Sequence, residues 1–146
     1  MSTRTRRLAA GALVLVTVAV LVAACSSSSG SDLTGKTWQL TAITEKSPAF
    51  AAVVPVAQQP NYTIVFNTGG TATIKADCNN VGGNWTAGSG GSLTITPGPS
   101  TLVACEPGSM GSQFVAGLGS TASYAVSGPT LTLTLKDGGT LGFTTK

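Results

Sequence analysis

The sequence predicts a mainly β (α+β) domain: an antiparallel sheet curled into an open, cracked barrel with one short covering helix. Three observations carry that expectation. Runs such as YTIVF (62–66) and TLTLTL (130–135) alternate in the period of a half-buried strand. Glycine pairs at 69–70, 82–83, 90–91 and 138–139 punctuate the runs where tight turns need positive φ. Only residues 109–120 abandon the period of two. There Met110, Phe114 and Leu118 recur every fourth residue with Val115 beside them, the stripe of a short helix.

In chain order, the first element is a leader. Arg4, Arg6 and Arg7 precede an uncharged, largely aliphatic run over residues 8–24. A positive start, an apolar centre and small residues at the end make an export signal. Ala23 and Ala24 stand directly before Cys25, the arrangement of a lipobox, whose cysteine takes a diacylglyceryl group. The expected organisation is a lipoprotein signal over 1–24, a flexible serine-rich tether over 25–32 and one folded domain over 33–146. Palmitate-type acylation of Cys25 would then hold the domain to the cell membrane on its extracytoplasmic side. Two alternatives stay open: ordinary cleavage without lipid, and an uncleaved helix, since roughly 17 apolar residues is the lower limit for spanning.

The folded part begins with TWQLTAI (37–43), a strand with Trp38 and Leu40 on one face. Residues 47–60 hold three prolines and no clean period, so they are expected to be irregular. YTIVF and TATIKA (71–76) pair as a hairpin across Gly69 and Gly70. DCNNVGGNW (77–85) concentrates turn formers and reads as a tight structured turn, with a strand near 84–87. SLTIT (92–96) follows as a strand, then TPGPS (96–100) as turn chemistry. The helix over 109–120 has Ser109 or Ser112 as candidate caps and Gly119 as its stop. Last comes a hairpin, TLTLTL against TLGF (140–143), with Leu131, Leu133, Leu135, Leu141 and Phe143 on the buried face.

Composition excludes more than it includes. The chain has 146 residues, 9% charged and without histidine. Its net charge of +3 comes from the three leader arginines, so the exported part is neutral. A neutral body offers no phosphate-binding stripe, and no nucleic-acid partner is expected. A serine nucleophile lacks its histidine base. The glycine pairs precede no Gly-Lys-Ser/Thr, so they are no phosphate cradle. Asp77 and Glu106 are the carboxylates best placed to meet. No catalytic, cofactor-binding or metal-ligating residue is assigned.

Cys78 and Cys105 remain once Cys25 carries lipid. Export to an oxidising compartment favours a disulfide between them, worth roughly 3–4 kcal/mol in the chain-entropy view. Two free thiols or a metal site are the alternatives. The second is disfavoured by the missing histidine and by the lack of a C-x-x-C pair.

These residues resemble the META domain, also called the heat-shock protein HslJ-like domain. The resemblance lies in L-x-G-x-x-W-x-L (Leu33, Gly35, Trp38, Leu40) and in Cys78-Asn79 followed by Gly82 and Gly83. It continues in T-x-x-A-C (Thr101, Ala104, Cys105), a short helix and a closing L-x-L hairpin. Asp77 stands where many members have glycine, and Val103 where methionine is common. The resemblance implies an envelope lipoprotein or secreted protein, in some cases tied to heat stress, antibiotic tolerance or motility, with no established catalysis. It also implies likeness to secretion-pilot lipoproteins that hold lipid or peptide. The leading expectation is a non-enzymatic binding or stress-response module whose partner is an envelope protein, a lipid or a peptide. The alternatives are a pilot-like chaperone of exported proteins and, more remotely, a hydrolase. A lipid carrier would need a cavity of about 300 Å³ or more inside the barrel. The oligomeric state is not legible.

Overall fold

A computed structural model describes residues 30–146. The leader, Cys25 and most of the tether lie outside the described residues. Nine strands and one α-helix follow: β1 Thr37–Lys46, β2 Ala49–Val53, β3 Tyr62–Phe66, β4 Thr71–Ala76, β5 Asn79–Ala87 and β6 Leu93–Ser100, then α1 Gly111–Gly119, β7 Thr121–Ser127, β8 Thr130–Leu135 and β9 Thr140–Thr145. The strands form one antiparallel sheet ordered β6-β5-β4-β3-β1-β9-β8-β7, with β2 added on β1. The sheet curls into an open half-barrel. Its two ends approach at the bridge between Ser92 and Ser123.

Alternation positions the core. Trp38 lies opposite Ile64, Ile64 opposite Ile74, and Ile74 opposite Val81. All four are buried and form one row across four strands. Leu131 faces Phe143 and Leu133 faces Leu141 in the closing hairpin, as their alternation predicts. Burying each such side chain contributes about 1.5–3 kcal/mol. Trp38, Phe66, Phe114 and Phe143 fill the interior together with the aliphatic residues. A lipid carried inside the barrel has no room there, and the hollows of about 770, 570 and 470 Å³ open at the surface.

The barrel is plugged at both ends. At one end residues 30–36 fold across the opening. Leu33 is fully buried, and its carbonyl accepts the Trp38 indole N–H at 2.9 Å. Gly35 makes the turn between them at φ 72°. At the same end the Gly30 N–H donates to the Tyr124 hydroxyl at 3.1 Å. Folded structure therefore begins within the stretch read as tether. At the other end α1 covers the core with Phe114 and Leu118, and the Met110 N–H donates to the Tyr62 hydroxyl at 3.1 Å.

Five expectations need correction. The proline-rich residues 47–60 contain β2 and a 3-10 turn at Gln59–Asn61, because the prolines flank β2 rather than interrupt it. β2 alternates only between exposed and half-buried, so it carries no clear period. The turn read into DCNNVGGNW shrinks to Asp77 and Cys78, and Asn79 already starts β5. Gly83 serves a close approach: a Cβ there would sit 3.0 Å from the Thr96 carbonyl oxygen. TPGPS lies wholly within β6, where Pro97 and Pro99 are tolerated because β6 ends the sheet order. β7 was not anticipated at all. Its register shifts between Thr121 and Ser123, which blurs the alternation. The helix is shorter than 109–120, and Met110 rather than a serine occupies its N-cap; Ser109 Oγ accepts the Gly111 N–H at 3.2 Å.

Candidate functional site

The disulfide is the natural starting point. Cys78 and Cys105 are joined with their Cα atoms 5.5 Å apart, so the two alternatives for these thiols fall away. The bridge ties the β4–β5 turn to the segment 101–105 that leaves β6. Asn79 does the rest of the fastening. Its Nδ2 donates to the Val103 carbonyl at 2.9 Å, and its Oδ1 accepts the Val103 N–H at 2.8 Å. The amide thus pairs with a peptide as one strand residue pairs with another. Oδ1 also accepts the Thr101 hydroxyl at 2.8 Å, and Thr101 Oγ1 in turn accepts the Asn80 N–H at 3.0 Å. Cys78, Asn79, Thr101 and Cys105, noted separately in the sequence, are one structural unit.

That unit holds residues 101–105 as the wall of a groove whose opposite wall is α1. The groove measures about 770 Å³. Ala76, Asn79 and Val81 line its floor, residues 100–105 one side, and Ser112, Val115 and Ala116 the other. Ala104, the small residue of T-x-x-A-C, lies in this wall. Leu102 is 95% exposed and Val103 57% exposed, although both belong to the wall. No Asp, Glu, Lys or Arg lines the groove. Nothing in the sequence singled out Leu102 as a surface residue. An isolated aliphatic in a turn-like stretch carries no periodic signal.

Asp77 and Glu106 both line a second hollow of about 160 Å³, with Asn61, Tyr62 and Ser109, and neither lines the groove. Asp77 adopts φ 60°, a left-handed conformation that glycine takes without strain. Its N–H donates to the Asn61 carbonyl at 2.7 Å. Among the described residues no cluster of three or more metal-ligating side chains occurs. Asp137, in the β8–β9 turn, has a lowered pKa. The Gly139 N–H first, then those of Lys46 and Ser47, hydrogen-bond its carboxylate and hold it below the usual range. Asp137 lies outside the groove.

The remaining motif residues are structural. Leu33, Gly35, Trp38 and Leu40 build the first plug and its attachment to β1, with Leu40 buried beneath. Gly83 lets β5 and β6 approach.

Comparison with known proteins identifies relatives of the fold. The structure of a protein from Burkholderia xenovorans, determined by NMR, superposes with a TM-score of 0.61 at 26% identity, covering 82% of this chain and 87% of that one. A DUF4847-family protein from Bacteroides vulgatus superposes with a TM-score of 0.57 at 14% identity, over 79% of this chain and 95% of that one, and shows likeness of fold alone. No curated protein sequence matches the chain. The model of the META domain matches residues 31–146, which contain both plugs, the disulfide and the groove. The chain is therefore a member of the META domain family.

Proposed function

We propose that this chain is a non-catalytic binding module, held at the outer face of the cell membrane by an acyl group on Cys25. Its binding face is the groove between residues 100–105 and α1. The observation that supports this most is the exposure of Leu102 and Val103 in a concave wall pinned by a disulfide and by Asn79. Val53 and Val56 are exposed as well, but of these large aliphatic side chains Leu102 and Val103 are the pair that lines a concave surface a ligand can cover. The groove's volume falls within the range of about 300–1,000 Å³ typical of ligand sites. It offers no ionisable group to transfer a proton or attack a substrate, and its only sulfur is held in the disulfide.

The test compares two pairs of exposed aliphatics. Leu102→Ser with Val103→Ser alters the groove, whereas Val53→Ser with Val56→Ser alters an exposed surface outside it. Affinity for a partner isolated from the cell envelope should fall at least about tenfold with the first pair and stay unchanged with the second. Equal binding by both variants overturns the assignment.

A further inference from the structure

We infer that the groove is turned away from the bilayer and takes an extended, uncharged peptide segment of another exported polypeptide rather than a membrane lipid. The inference deepens the reading above and rests on its membrane tether. Two observations carry it.

The first is where the chain outside the described residues joins the body. Gly30 is fixed by its bond to Tyr124, and a Cβ there would collide with Trp85 and Ala87. Tyr124 also donates to Asp32 at 3.4 Å. From Cys25 to Gly30 the chain spans at most about 17–18 Å. The groove lies at the opposite end of β5, beside Asn79. The nine residues from Asn79 to Ala87 cover about 26 Å. An end-on arrangement with the groove against the bilayer would lift Gly30 further from the membrane than the tether reaches.

The second is the chemistry of the wall. The Val103 N–H and C=O both bind Asn79. The main-chain groups of the neighbouring Leu102 and Ala104 have no hydrogen-bond partner among the described residues. Both residues line the groove. An acyl chain satisfies none of these donors and acceptors, whereas an extended peptide satisfies them as an added strand does, with apolar side chains against Leu102 and Val115. The absence of charge in the lining disfavours acidic and basic segments alike.

The experiment uses the full-length, acylated protein in phosphatidylethanolamine/phosphatidylglycerol vesicles carrying an acceptor dye on the headgroup. A donor is attached through an azido amino acid at exposed Ser89, near the tether exit, or at Leu102. Energy transfer should be at least about twofold stronger from position 89, given the length of β5. Equal or stronger transfer from position 102 in protein that floats with the vesicles overturns the orientation alone. Protein that fails to float refutes the tether, and the inference with it. In a second arm, the unsubstituted protein meets either an uncharged octapeptide alternating Val and Thr, or palmitate. The peptide should shift the Leu102 and Ala104 amide resonances and slow their exchange with solvent about tenfold. A response to palmitate and none to the peptide overturns the ligand class.

Discussion

The side-chain amide of Asn79 and the peptide of Val103 hydrogen-bond to each other at both ends, at 2.9 and 2.8 Å. A side chain here stands in for a strand, and it holds a wall that β6 has already left. Asn79→Ala removes both bonds and the acceptor for Thr101. It should destabilise the domain by about 1–3 kcal/mol in denaturant titration. Asn79→Asp keeps the shape and loses the donor, setting a carboxylate against the Val103 carbonyl. Hydrogen exchange at residues 101–105 should accelerate in both variants while the β8–β9 hairpin stays protected.

The disulfide acts on the same wall through the unfolded state. Its half-cystines are 27 residues apart in sequence. Reduction, or Cys78→Ala with Cys105→Ala, should lower stability by roughly 3–4 kcal/mol, read as a shift in the denaturant midpoint. The buried rows around Trp38 do not involve the bridge, so the reduced protein should keep its far-ultraviolet spectrum.

Asp77 offers a test of backbone strain. At φ 60° a Cβ is unwelcome, and Asp is among the side chains that tolerate the position best. Asp77→Ala should cost about 1 kcal/mol, whereas Asp77→Gly should melt at or above the parent temperature. Glycine is common there in the family the sequence resembles, and the left-handed turn supplies the reason.

These residues show what the sequence made legible. Alternation placed Tyr62, Ile64, Phe66, Leu131, Leu133 and Leu135 correctly, because a half-buried strand writes its two faces directly into the chain. Asn79 to Gly83 was misread because glycine and asparagine are turn formers by local preference, whereas the strand near 84–87 was read correctly. At 79–83 tertiary contact with β6 draws them into a strand. β7 and β2 escaped notice for the complementary reason: small, half-exposed residues leave no period. Five members of the site, Cys78, Asn79, Thr101, Ala104 and Cys105, were visible as motif letters. The wall residue Leu102 was not, since its significance lies in being uncovered.

Asp137 gives the domain an acid-sensitive joint. Three backbone N–H groups hold its carboxylate, and its folded pKa lies below the ordinary value. Its contribution is therefore complete above the unfolded pKa of about 4 and is lost as pH falls through the folded value. Asp137→Asn should be less stable than the parent at pH 7. Urea titrations should show the difference shrinking once the pH drops below about 4.

The most direct test of the whole account is the intact mass of the protein extracted from its own cell membranes and alkylated without reductant. The account requires a chain that starts at Cys25, carries diacylglyceryl mass on that residue and takes up no alkylating agent at Cys78 or Cys105. A mass retaining residues 1–24, or a non-acylated chain with two alkylated cysteines, would contradict it.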